Sequence, residues 1–524
     1  MHRTVLRTTL RLSQATVFLA LVMPSSIAQD APVPNGLRDA IFGAHKHPTA
    51  NVSIGGHAFR GIVSRDGMPV LVWSRDAKSP LKLPFDRAAF ARWINGADKE
   101  FKHLGFEASF KSNARYLDMD AWVFELSRKG VPLFDHWVKV YWKDKIFVGM
   151  LNHFPAPATS VVEPTDGDRS TPDRVYYAQA DAKAEYRLVI ATLSRRETAT
   201  HRRTEVVTRR GAEVEIWQQK DGYMAPAGAA TFSEYTVPSG TFPDQIWADS
   251  TGIIWFSQPS NNWVTSFNPK TSKFTQYATT GGSGPDGLWV DDKDRVWTGL
   301  YYSSHLGVLD VATKKFTAFA PPYTPASLAI PSPSSRDTIW VTDHKNNRIS
   351  EFDPKQSTWL GSHVMPTSAT WVVAGTVDRT RERVWFTGYS SNSLPYKDIG
   401  KPIGEVPTPT RGGPSFLVYN DNKIWYSNWL NNRLGMLDVA SSKFTEYTYR
   451  AGETGGPIAI TPTGKPVIGG KVSHIVVFDP VSKTFTDYAI PSSRRLKDGI
   501  TVSPDGAIWF TGTYTNKIAR LVIK

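Results

Sequence analysis

The chain has 524 residues, 40% hydrophobic and 21% charged, a length that calls for more than one domain and a composition that excludes intrinsic disorder. Its 18 Trp, 19 Tyr, 26 Phe, 39 Gly and 36 Pro are the mixture of many short strands joined by tight turns. A formal net charge of +13 comes with no cysteine at all, which excludes disulfides and thiol nucleophiles.

Residues 1–28 read as an export signal. Arg3, Arg7 and Arg11 give a basic start, Ala15 to Met23 a short apolar core, and Ser26-Ile27-Ala28 a small-x-small cleavage site before Gln29. A mitochondrial presequence or a buried N-terminal helix is the alternative. The apolar run is too short to span a bilayer, and no other segment supplies the roughly 20 apolar residues a transmembrane helix needs. The expected address of the mature protein is therefore the periplasm or the exterior.

Residues 30–225 read as an α+β N-terminal domain. His45, His47 and His57 at its start could be metal ligands, but a solvated start to the mature chain accounts for them. The pattern from Phe85 to Gly105 predicts a helix, with Asp86 as N-cap and Phe90, Trp93, Ile94, Ala97, Phe101 and Leu104 on one face. Alternation predicts strands at 121–127, 136–142, 145–151, 185–194 and 212–219, with Lys143-Asp144 as a tight turn. Arg195, Arg196, Arg202, Arg203, Arg209 and Arg210 concentrate positive charge. No nucleic-acid module accompanies them, so they read as solvated strand faces and no nucleic-acid partner is expected. Asp221 to Ala230 is the expected linker.

From Phe232 onward the chain repeats at about 42 residues. The openings are Phe232–Tyr235, Phe274–Tyr277, Phe316–Phe319, Phe444–Tyr447 and Phe485–Tyr488, with degenerate copies near Trp359 and Ile403. Strands centred on Trp255, Trp297, Trp340, Trp385, Trp425 and Trp509 follow a polar turn in six units, and PVIGG (466–470) takes that place in the other. Short strands at this period predict a seven-bladed β-propeller over 231–524, with six or eight blades as the alternative. The fold class is thus mainly β, a propeller preceded by an α+β domain. The phase predicts that TFSEYTV at the start pairs with KIARLVI at the end to close the ring, and that the chain stops where this closure requires.

No G-x-S-x-G, H-E-x-x-H, P-loop or dinucleotide fingerprint is present. Chemistry is expected at the propeller mouth, where loops from every blade converge. Starts of inner strands place Asp244, Asp286 and Asp498 there, on three blades adjacent around a closed ring. Two carboxylates ~6 Å apart repel by roughly 3 kcal/mol at an effective dielectric near 20, so the trio would shift its pKa values or recruit a divalent cation. Oxygen ligands point to Mg²⁺ or Ca²⁺. Alternatively, each aspartate caps a turn. Ends of the Trp strands add Asp343 and His344, with Tyr301, Tyr302, Tyr389, Trp429 and Tyr514 as an aromatic rim for a small-molecule, glycan or peptide ligand. The rings also suit blade interfaces.

Two resemblances add to this reading. Phe444–Tyr447, Gly413-Pro414 and Ile424–Gly435 resemble the streptogramin B (virginiamycin B) lyase family over 232–524. That implies a seven-bladed propeller and Mg²⁺-dependent elimination that opens a cyclic depsipeptide. The family's Pro-His pairs correspond here to Pro414-Ser415, Pro457-Ile458 and Lys497-Asp498, and its strand-ending Glu to Asn428, Gly470 and Gly512. The family's general base and its partners are therefore absent. Glu125 to Val140 faintly resembles the core of propeptide modules that fold and inhibit secreted metalloproteases. The expected function is a metal-dependent lyase or hydrolase of a small cyclic ester, lactone or sugar-like substrate. Asp244, Asp286 and Asp498 would hold the ion, and Asp343 and His344 would act on the substrate. A non-catalytic glycan- or peptide-binding module, or an envelope scaffold, is the alternative.

Overall fold

The computed structural model describes residues 50–63, 69–74, 81–153 without 82, 102, 117 and 118, 158–161, 174–180, 186–208, 211–220 and 229–238. It also describes 242–279, 282–323 without 292, 328–333, 338–449 without 345, 368 and 369, 455–470, 474–491 and 499–524 without 513 and 514. The export signal, His45, His47, Asp498, Tyr514 and most of the expected linker lie outside these residues.

From residue 230 onward the chain forms a propeller of antiparallel four-stranded units. Six stand as discrete sheets, those of Trp255, Trp297, Trp340, Trp385, Val467 and Trp509. Six and not seven are discrete because the Trp425 unit is merged into a larger sheet. Its strands Pro414–Asn420, Lys423–Asn428, Arg433–Asp438 and Lys443–Thr448 pair in order, but the last also pairs in parallel with Gly211–Gln219. The unit therefore continues into the N-terminal strands as part of a 16-stranded sheet. Ala230–Thr236 pairs antiparallel with Lys517–Ile523, Phe232 opposite Leu521 and Tyr235 opposite Ile518, joining the first repeat to the last as the repeat phase predicts.

Two recurring devices explain why the repeat has its spacing. The first is a clamp from the turn aspartate to the tryptophan six residues on. Trp255 Nε1 donates to Asp249 Oδ2 at 2.8 Å and Trp297 Nε1 to Asp291 Oδ2 at 2.9 Å, while Ser503 serves Trp509 at 3.2 Å. The other oxygen of each aspartate closes the turn itself, Asp291 Oδ1 accepting from the Lys293 and Arg295 amides. The second device is a three-ring contact between neighbouring units. Tyr235 and Trp509 meet Phe267, Phe319 and Trp297 meet Phe352, and Tyr447 and Trp425 meet Phe478, at centroid distances of 4.4–5.8 Å. The opening aromatic, the central Trp and the next unit's third strand thus form one buried seam. Burying a ring of this size contributes about 1.5–3 kcal/mol, with roughly 0.5–1.5 more from ring geometry.

The N-terminal helix is shorter than its periodicity predicts. It spans Arg87–Gly96, capped by Asp86 accepting from the Ala89 amide at 2.7 Å, and ends at Ala97 before a single turn, Asp98–Phe101. Phe90, Ile94, Ala97 and Phe101 are buried as expected, against Trp122, Phe124 and Trp142 of the strands. Gly105, with φ +76, lies in the turn beyond. The hairpin between Val131–Lys143 and Ile146–His153 turns at Asp144-Lys145, one residue later than expected; both have positive φ, as a two-residue turn matching strand twist requires. Further strands here are Ala50–Ile54, His57–Val63, Pro69–Ser74, Glu107–Tyr116, Ala158–Val161, Arg174–Ala180 and His201–Thr208. His57 sits edge-on to Trp93 at 6.1 Å.

Candidate functional site at the propeller mouth

Asp244 and Asp286 stand at the starts of neighbouring inner strands, both buried. The Asp244 amide donates to Ser257 O, anchoring it to its own Trp strand. Asp286 falls where Pro285–Val290 leaves regular register, the ladder passing from Pro285 to Leu288. Tyr302 connects them. Burial, then the Asp286 charge, then the Asp244 charge raise its phenol above the ordinary value. Both carboxylates thus raise the pKa of the same half-exposed phenol. Asp498, the third of the trio, lies outside the described residues, and among those described no three His, Asp or Glu side chains are grouped as a metal would need.

Tyr302 is held by an unusual approach. Its ring lies over Gly284, where a Cβ would come within 2.2 Å of it, and Gly284 adopts φ +58. Tyr301 turns the other way, into the interior, edge-on to His344 at 6.0 Å. His344 follows directly on the Trp340 strand, Ile339–Asp343, and is buried. Its Nδ1 accepts a hydrogen bond from Trp371 Nε1 at 2.8 Å. Asp343 is turned into the adjoining loop, where Asn346 donates to it from its amide at 3.3 Å and from Nδ2 at 3.0 Å. Burial, with the Asp343 charge adding, pushes nearby Tyr323 up to about 12.

The other half of the mouth is covered. Tyr389 and Leu430 lie over Gly413, where a Cβ would meet them at 2.9 and 3.3 Å. Both pack against a cluster from the N-terminal strands: Leu71, Trp73, Met119, Tyr141 and Leu151 among others. Trp429 is buried, its ring 6.1 Å from Phe416. Of the expected rim, Tyr302 alone among the described residues is open to solvent, at 54% exposure. Asn428 is fully buried, and its side-chain amide finds no partner among the described residues.

Trp371 is the residue that sequence reasoning missed. It stands near the start of an inner strand, where the units of Trp255, Trp297 and Trp425 carry Asp244, Asp286 and Ser415, and the one signal was a large aromatic in place of a small polar group. Its φ of +53 is a left-handed conformation, uncommon for so bulky a residue.

The sequence profile described as the Virginiamycin B lyase family matches residues 210–476, just over half of the chain. The chain belongs to that family. Solved structures of the family agree on the fold. A streptogramin B lyase structure superposes with a TM-score of 0.53 at 18% identity, covering 56% of this chain and 98% of the other. The virginiamycin B lyase of Staphylococcus aureus gives 0.52 at 19%, covering 56% and 100%. A catalytically inactive form of that enzyme with quinupristin gives 0.53 at 18% over the same shares. No relative is found among curated protein sequences. Among the described residues no helix is long and apolar enough to cross a membrane.

Proposed function

We propose that this family member takes a small cyclic ester, lactone or sugar-like ligand at the open half of its mouth and acts on it as a lyase or hydrolase. The observation that carries this reading is Tyr302, an exposed phenol under the field of Asp286 and Asp244 from two adjacent sheets. Asp244 and Asp286, completed by Asp498, are the residues that would hold Mg²⁺ or Ca²⁺. Such an ion, when bound, polarises a carbonyl oxygen. Tyr302 offers the ligand an aromatic face. His344, with Nδ1 engaged by Trp371, would act from Nε2, as a donor suited to a leaving or carbonyl oxygen. Asp343, engaged by Asn346, shapes the loop that carries His344. Calorimetric titration of Mg²⁺ and Ca²⁺ into metal-stripped protein, with Asp286→Asn beside it, tests the reading. Saturable binding lost in the variant supports it and justifies a screen of lactones and cyclic esters; absence of binding sinks the metal-dependent form.

A non-catalytic binding module is the second reading. It is favoured by the Ser415, Ile458, Asn428, Gly470 and Gly512 that stand where the resemblance calls for the family's His and Glu. Chelation leaves such binding intact. We also infer a seventh blade in Pro414–Thr448, since its inner strand lies between Val372–Asp378 and Ile458–Ile460 as the other units' inner strands do. Residues 1–28 are proposed as a cleaved export signal, which the N-terminal mass of the mature protein tests.

A further inference from the structure

A continuous line of contacts runs from the N-terminal strands to His344. An indole N–H donates only, so the 2.8 Å bond from Trp371 Nε1 requires His344 Nδ1 to present its lone pair. The neutral ring then carries its single proton on Nε2. Trp371 is held in place by its surroundings despite its left-handed backbone, a conformation unfavourable for a bulky residue. The Thr370 amide donates to Asn347 Oδ1 at 2.7 Å, and the Trp371 carbonyl accepts from the Tyr389 amide at 3.1 Å. The Tyr389 ring stands 6.2 Å from that of Trp371 at 64°. Behind Tyr389 lies the apolar cluster of the N-terminal strands.

We infer that Trp371 is a positioning residue that holds His344 in the Nε2–H tautomer, with the N-terminal strands, through Tyr389, as its outer support. This assigns the N-terminal region a part in the mouth. The inference rests on the mouth being the ligand site, but the tautomer is read without any ligand.

The experiment is NMR of the full chain carrying ¹⁵N-histidine, with His344→Gln to assign the ring. The expected spectrum shows His344 Nδ1 bare and Nε2 protonated. Trp371→Phe, which keeps a ring and removes the donor, is expected to move His344 to a mixture of tautomers while the other histidines keep their signals. Tyr389→Ala is expected to move it in the same direction by less. A protonated Nδ1 in the unmodified protein, or an unchanged His344 in Trp371→Phe, overturns the inference; an unchanged His344 in Tyr389→Ala overturns the N-terminal support. Should Trp371→Phe not fold, the indole proton of Trp371 serves instead. It is expected to move upfield in His344→Gln, and its failure to move overturns the bond. A confirmed tautomer together with no ligand or ion bound at the mouth refutes the proposed function and leaves the role of Trp371 standing.

Discussion

Gly284 shows how much one residue decides at the mouth. Its φ of +58 and the Tyr302 ring 2.2 Å from any Cβ both exclude a side chain. Gly284→Ala is expected to cost about 1–3 kcal/mol and to displace Tyr302. Urea denaturation measures the cost, and a change under about 0.5 kcal/mol would show that the ring yields freely. Asp398 makes a prediction in pH. Its carboxylate accepts from Arg383 Nε at 2.5 Å and Nη2 at 2.9 Å, and that contact holds its pKa below the ordinary 3.8. A depressed folded pKa means stability that is present above the unfolded value and lost as pH falls through the folded one. Asp398→Asn should therefore destabilise at neutral pH, and its difference from the unmodified protein should shrink below about pH 3.8. A difference constant across that window would remove the ion pair from the account. At this scale the sequence was partly legible. The burial of Asp244 and Asp286 at the starts of neighbouring inner strands followed from position in the repeat, but whether Asp343 faces the mouth or its own turn depended on Asn346, three residues on, which no pattern singled out.

At the scale of elements, the clamp between turn aspartate and tryptophan makes each Trp strand part of its turn. Asp291→Ala strands the indole of Trp297 and the Lys293 and Arg295 amides together, at an expected cost of about 1–3 kcal/mol in chemical denaturation. The Trp385 sheet supplies an internal control. There Asp378 accepts from Arg381 and Thr380, and the Trp385 indole finds no partner among the described residues. Asp378→Ala should leave the Trp385 indole signal unchanged, and a shift would show a coupling the clamp does not include. Strand positions were legible because alternation and Trp placement are local. The N-terminal helix was overextended because its apolar spacing continues past Gly96, whereas the chain turns at Ala97 to bring Phe101 into the same core.

For the whole molecule, the parallel pairing of Gly211–Gln219 with Lys443–Thr448 is the joint that matters. Around it Tyr177 Oη donates to Pro409 O at 2.9 Å, His201 Nε2 meets Lys483 O at 2.8 Å, and the Phe485 amide donates to Gln219 Oε1 at 2.9 Å. Lys443–Thr448 is flanked on both sides, while the outer strand Lys273–Ala278 ends its sheet. Hydrogen exchange should find amides of 443–448 more protected than those of 273–278; equal protection would mean that the joint opens readily. The sequence by itself determined the repeat, its Trp seams and the closure of first unit on last, because each rests on residues whose spacing is set by strand and turn geometry. Only the tertiary structure decided that one unit merges with the N-terminal strands, that those strands cover half of the mouth, and that Trp371 holds His344 from 27 residues away. Those contacts join segments distant along the chain, and the shape complementarity that selects them leaves no period in the sequence.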